Sequence, residues 1–261
     1  MEVIITDTPE EIGQLGADVV AQVLASKPDA VIGLATGSSP VGIYDDLARR
    51  IREGELSLKE CTAFLLDEYV GLPEGHPESY RSVIERDFVS KVDIPNDKVH
   101  SLNGRAADIP AECAAYEQAM QDAGGVDLQI LGIGTDGHIA FNEPGSSLTS
   151  RTRIKTLLPQ TRRDNARFFG DDLDAVPQQC LTQGVGTVLE ARHLLLIANG
   201  AGKAHAIRDA LEGPVTAMCT GSVVQLHPHV TVIVDEDAAS LLRLTDYYRE
   251  AWAAKPSWQG F

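Results

Sequence analysis

Three residues on one short stretch could do acid–base chemistry. Asp136, His138 and Glu143 lie in Gly134-Thr135-Asp136-Gly137-His138-Ile139-Ala140-Phe141-Asn142-Glu143-Pro144, directly after the apolar run Leu128 to Ile133. An imidazole flanked by carboxylates is held in one tautomer and can trade a proton near neutrality. Either carboxylate could instead cap the loop around a satisfied histidine, but three such groups beside a glycine-rich turn favour the chemical reading. Two more acids, Asp67 and Glu68, follow the apolar run Thr62 to Leu66. If that strand continues, successive side chains point to opposite faces, so at most one of the two should face a ligand. Such a carboxylate is a candidate base for taking a proton from a carbon next to a carbonyl, or it caps the next helix.

Two other strand ends read as anion sites. Val31 to Ala35 is followed by Thr36-Gly37-Ser38-Ser39-Pro40 and then a helical pattern. Small residues leave backbone N–H groups open, hydroxyls add donors, and the helix start adds the positive end of its dipole. Gly37, Ser38 and Ser39 can therefore cradle a phosphate. Leu194 to Ala198 is followed by Asn199-Gly200-Ala201-Gly202-Lys203, again opening a helix. A lysine there opposes the macrodipole unless an anion is near, so Lys203 reads as a point charge for phosphate. Ile197 and Ala204 stand where a Walker motif needs its first glycine and its Mg²⁺-binding hydroxyl, which removes nucleoside triphosphates. The letters from Gly132 to Gly137 satisfy G-x-G-x-x-G, yet they contain an acid and run into Glu143-Pro144-Gly145 instead of a helix. No H-E-x-x-H, paired-cysteine or G-x-S-x-G spacing occurs, so no metal, no cofactor and no nucleophilic serine are expected.

All these motifs follow apolar runs, and ligands of open α/β sheets sit beyond the carboxyl ends of the strands. The runs Val31 to Ala35, Thr62 to Leu66, Leu128 to Ile133, Leu194 to Ala198 and Val230 to Val234 have the length and branched content of strands covered on both faces. Helical patterns lie between them. Thr8-Pro9-Glu10-Glu11 supplies a cap, a first-turn proline and a capping-box glutamate, with Ile12, Leu15, Val19, Val20 and Val23 on one face. Others begin near Val41, Pro77, Pro110, Gly202 and Glu236. This β-α-β-α rhythm, without repeats or a low-complexity linker, predicts a single α/β domain with an open parallel sheet and helices on both faces.

The 261 residues carry 22 Lys plus Arg against 38 Asp plus Glu, a net charge of −16. That argues against nucleic acid and anionic membrane as partners, but not against a small anion met by a few placed cations. Cys61, Cys113, Cys180 and Cys219 show no paired spacing and read as buried thiols in a reducing compartment. The N-terminus has no basic, apolar leader and no stretch is long enough to span a bilayer, so a soluble, cytoplasmic protein is expected. One window opposes the average. Arg151, Arg153, Lys155, Arg162, Arg163 and Arg167 face a single acid, Asp164, which makes the window +5 and leaves −21 for the rest. It is either a solvated basic face or an anion-facing flap.

Several strings are recognisable. LATGSSP (34–40), LDEYVGLPEGHPESY (66–80), GIGTDGHIAFNEPGSSL (132–148), SRTRIKTL (150–157) and LTQGVGTVLEA (181–191) closely resemble the glucosamine-6-phosphate deaminase family, nearly end to end. The resemblance implies a Rossmann-like sheet and conversion of glucosamine 6-phosphate and water into fructose 6-phosphate and ammonium, in amino-sugar catabolism and without an organic cofactor. It implies Asp67 as the base between C2 and C1, and His138, polarised by Asp136 and Glu143, as the ring-opening group. Gly37, Ser38, Ser39, Arg167 and Lys203 would hold the phosphate, and the basic segment, about 151–180, would be a mobile lid. Homo-oligomers, hexamers included, occur in the family. In some members the stretch resembling Ser146, Arg153, Lys155 and Thr156 binds N-acetylglucosamine 6-phosphate as an activator; the tyrosine they add near the C-terminus falls on Arg249 here, with Tyr247 and Tyr248 nearby. The rival readings are a 6-phosphogluconolactonase-like hydrolase, opposed by the complete Asp67, Asp136, His138 and Glu143 set, and a non-catalytic amino-sugar-phosphate sensor.

Overall fold

The computed structural model describes residues 1–256 and 258–261. In chain order the elements are β1 (Glu2–Thr6), α1 (Pro9–Ser26), β2 (Val31–Leu34), α2 (Val41–Arg52), β3 (Thr62–Leu65), β4 (Asp67–Tyr69), α3 (Tyr80–Asp87), β5 (Val99–His100), α4 (Ile109–Asp122) and β6 (Leu128–Leu131). They continue with β7 (Arg153–Thr156), α5 (Pro159–Ala166), β8 (Gln179–Thr182), α6 (Val185–Leu189), β9 (His193–Ala198), α7 (Ala204–Leu211), β10 (Val230–Asp235), α8 (Glu236–Ala239) and α9 (Thr245–Ala253). Seven strands form one parallel sheet in the order β1-β10-β9-β6-β2-β3-β5, flanked by helices. The chain winds outward from β2 through β3 to β5, then returns to lay β6 on the other side of β2. Direction therefore reverses between β2 and β6, and the loops leaving those two strands splay apart into a crevice.

All five apolar runs are strands of this sheet, and β9 and β10 are buried along their whole length. The first helix forms as its sequence requires. Thr8 Oγ1 accepts from Glu11 N at 3.3 Å, Glu11 Oε2 reaches back to Asp7 N at 3.0 Å, and Ile12, Val19, Val20 and Leu24 are buried. Gly13 lets α1 approach α2, since a Cβ there would stand 2.7 Å from the Gly42 carbonyl carbon.

Three differences from the sequence reading matter for the site. The run Thr62 to Leu66 does not extend into the acids. The strand breaks at Leu66, and Asp67–Tyr69 starts a second, antiparallel sheet in the order β4-β8-β7. The helix expected from Pro77 begins at Tyr80, because His76 to Ser79 is a turn and Ser79 Oγ caps Ser82 N at 3.3 Å. The stretch Ala201–Lys203 is a single 3-10 turn, so α7 starts one residue beyond Lys203.

Candidate active site

A cavity of about 690 Å³ opens where the sheet reverses direction. The loops after β2, β6 and β9 line it, together with β4, α3 and the end of α5. That volume suits a small ligand.

The loop after β2 keeps backbone amides accessible because Gly37 adopts φ +95°, with open space where a Cβ would project. Ser39 Oγ lies 3.5 Å from Asn199 Oδ1, so this loop and the loop after β9 meet. Lys203 lines the same cavity, its Nζ donating to the Ile133 carbonyl at 2.7 Å. Burial lowers its proton affinity, Asp164 pulls it back up and Arg167 lowers it further. The structure thus gathers Gly37, Ser38, Ser39 and Lys203 along one side.

On β4 the alternation of side chains separates the two acids. Asp67 lines the cavity, only 6% exposed, and among the described residues no donor reaches its carboxylate. Burial and the neighbouring Glu68 charge push its pKa well above the usual carboxylate range. Glu68 turns away and caps α3. Its Oε1 accepts from Tyr69 N at 2.8 Å and Tyr80 N at 2.9 Å, and its Oε2 accepts from Arg81 N at 3.0 Å.

The loop after β6 folds back on itself, with Gly134 N donating to His138 O at 2.8 Å. Glycine at position 134 lets the His138 ring lie over the loop, since a Cβ there would fall 2.4 Å from His138 Cε1. His138 Nδ1 stands 2.6 Å from Asp136 Oδ1, at angles outside the hydrogen-bond range, and 3.6 Å from Glu143 Oε2. Burial disfavours the Asp136 carboxylate, but the His138 ring and its backbone N–H outweigh this and hold its pKa below the ordinary value. Glu143 is 2% exposed; its Oε1 accepts from Leu158 N at 2.9 Å, while among the described residues no donor bonds Oε2. The ligand atoms of the three residues lie within 4.8 Å of one another, close enough to share a proton or hold a cation. Ala140, at φ +48°, is a strained backbone position in this loop.

The basic run divides. Among the described residues, Arg167 alone of its six cations lines the cavity, its guanidinium 4.7 Å above the Phe168 ring. Arg151 pairs with Glu117 and Glu190, Arg162 donates to the Leu173 and Val176 carbonyls, and Arg163 holds Gln160. Arg153 and Lys155 share one face of β7, with Arg153 bonded to Asn142 Oδ1 at 2.9 Å, whereas Thr156 lies on the other face. Ser146 is buried, its Oγ donating to the Glu143 carbonyl at 2.7 Å.

Sequence reasoning missed the aromatic wall. Tyr69 and Tyr80 pack at 4.9 Å, Tyr80 stacks on Phe141 at 5.7 Å, and Asn165 Nδ2 donates to Tyr69 Oη at 2.9 Å. One signal existed, because Tyr69 is two residues beyond Asp67 and so shares its strand face. Arg86 of α3, paired with Asp87, also lines the cavity and carried no such signal.

Comparison with known proteins agrees with this arrangement. The chain is 62% identical to a glucosamine-6-phosphate deaminase of Mycolicibacterium smegmatis and 55% identical to one of Streptomyces coelicolor, each over the full length of both chains. A solved monomeric glucosamine-6-phosphate deaminase superposes with a TM-score of 0.90 at 43% identity, covering 92% of this chain and all of that one. The 6-phosphogluconolactonase of Trypanosoma cruzi shares the fold, with a TM-score of 0.74 at 20% identity over 93% of this chain and 97% of its own. Residues 7–233 match the family described as glucosamine-6-phosphate isomerases/6-phosphogluconolactonase, and it is to this family that the chain belongs.

Proposed function

We propose that this protein is a glucosamine-6-phosphate deaminase, converting glucosamine 6-phosphate and water into fructose 6-phosphate and ammonium in amino-sugar catabolism. The observation that carries this reading is Asp67, a buried carboxylate that no donor among the described residues reaches and that faces the same cavity as a phosphate cradle and a carboxylate-flanked histidine. The full-length relatives of that name support it. Gly37, Ser38, Ser39, Lys203 and Arg167 hold the phosphate, fixing the sugar across the cavity. His138, steadied by Asp136 and Glu143, moves the proton of the C1 hydroxyl to the ring oxygen and opens the pyranose to the aldehyde. Asp67 then takes the proton from C2 as one adds to O1, and returns it at C1 as the nitrogen gives one up, so C1 becomes an alcohol and the amine an imine at C2. Water adds there and ammonia departs, leaving the ketone. The raised proton affinity of Asp67 suits both halves of that transfer, because a base must also give the proton back.

The resemblance extends the proposal to a cytoplasmic homo-oligomer, to α5 and its flanks as a lid, and to Ser146, Arg153, Lys155 and Thr156 as an effector site for N-acetylglucosamine 6-phosphate. No helix among the described residues is long and apolar enough to cross a membrane. The deciding assay is ammonium release from glucosamine 6-phosphate with and without that effector. Hydrolysis of 6-phosphogluconolactone without ammonium release would replace this reading by the lactonase one.

A further inference from the structure

Asp164 is the one acid in the basic run, and the chemistry above gives it no task. It is half-buried on α5 and lines the cavity beside Thr161 and Asn165. Its Oδ2 accepts a 3.0 Å hydrogen bond from Thr135 Oγ1, and its Oδ1 accepts from Gln160 Nε2 one turn earlier at 2.7 Å. Thr135 is exposed, immediately precedes Asp136, and lines the cavity from the loop after β6. The Thr135–Asp164 bond therefore joins two separate walls of the cavity. Of the other ties of α5, Leu158 N to Glu143 reaches the far end of the same loop, whereas Asn165 to Tyr69 and Arg162 to the Leu173 and Val176 carbonyls run elsewhere. Arg167 follows Asp164 by three residues, so whatever fixes Asp164 sets where that guanidinium stands. Asp164 also acts electrostatically on Lys203.

We propose that the Thr135–Asp164 pair is a latch that holds α5, and with it Arg167, against the loop bearing Asp136 and His138. Asp164 is thus a positioning residue for the substrate phosphate. The kinetic part rests on the proposed function, since it takes Arg167 as a phosphate ligand. The structural part does not.

Trypsin tests the latch without turnover, because Arg162 and Arg163 lie within α5 and are cleavable only when it opens. Thr135→Val and Asp164→Ala should each speed cleavage there about three- to tenfold, the loss of one exposed hydrogen bond, without moving the thermal midpoint. Thr135→Ser and Asp164→Asn keep donor and acceptor and should be cleaved at the wild-type rate. The double variant Thr135→Val/Asp164→Ala should be no faster than either single one. In steady state, Thr135→Val should raise KM for glucosamine 6-phosphate by a similar factor with kcat within about twofold of wild type. Unchanged cleavage, or additive effects in the double variant, would overturn the latch. Faster cleavage with unchanged KM would overturn its positioning role. A wild-type protein that released no ammonium would instead overturn the proposed activity, while the cleavage test would stand.

Discussion

At the scale of single residues, Asp67 and Lys203 make opposite predictions. Asp67→Asn should cut kcat by about 10²–10⁴ and leave KM close to wild type, because a general base acts in the transition state more than in the ground state. The same variant should be more stable. A carboxyl raised by burial holds its proton more tightly in the folded chain than in the unfolded one, so it withdraws stability as pH climbs from the unfolded value towards the folded one. Removing it ends that loss at neutral pH, and the midpoint should rise, at about 2–4 °C per kcal/mol in a chain of this size. Denaturation at pH 7.5 and at low pH checks this, with the gain shrinking in acid. The acid limb of the wild-type rate should also lie above the ordinary aspartate range. Lys203→Ala should instead raise KM with kcat nearly preserved, and an unchanged KM would remove it from the phosphate site. Asp67 and Glu68 were legible as a pair whose sides differ, though only the structure assigned the sides. Glu68 faces two backbone N–H groups at the start of α3 and that of Tyr69 on its own strand, a partner set no spacing announces.

At the scale of elements, the strands that are almost wholly apolar announced themselves, while β1, with two half-buried positions among five, and the short or half-exposed strands did not. Five runs of the seven-stranded sheet are continuous apolar stretches, so desolvation alone marks them. β5 has two residues, and β4, β7 and β8 gain their character only from pairing with one another, as Asp67 opposite Thr182 and Arg153 opposite Thr182 show. Hence the second sheet was invisible, and with it the reason Asp67 and Tyr69 face one cavity. The loop after β6 makes a stricter demand. Gly134→Ala puts a methyl carbon 2.4 Å from the His138 ring, which must swing away from Asp136. That variant should fold and keep its phosphate-dependent KM, yet lose kcat by at least about tenfold, since roughly 1 Å of displacement can be that costly. Retained turnover would mean that the ring needs no such placement. Steady-state kinetics alongside circular dichroism separates the two.

At the scale of the whole molecule, net charge and local charge pull the substrate in opposite directions. The chain as a whole carries −16, and the ligand proposed for it is an anion. Spread at about 20 Å, that charge repels each unit of substrate charge by roughly 3 kcal/mol before screening. Lys203, Arg86 and Arg167 line the cavity and act at contact range. Salt weakens the two unequally. Raising potassium chloride from about 10 mM to about 150 mM shortens the Debye length from about 30 Å to about 8 Å, which cuts the repulsion from the body but barely reaches ion pairs at about 4 Å. kcat/KM should therefore rise by about three- to tenfold over that range, the reverse of the trend in a basic protein that gathers polyanions. Arg167→Gln should lower the whole curve without changing its slope, because it removes a local contact and hardly alters the distant field. A fall in kcat/KM with salt would show that attraction by the cavity cations extends beyond contact range and outweighs the acidic body. Sequence composition supplied the sign of the body's charge; only the fold shows that, of the run from Arg151 to Arg167, a single cation turns into the cavity while Arg151 is spent on Glu117 and Glu190.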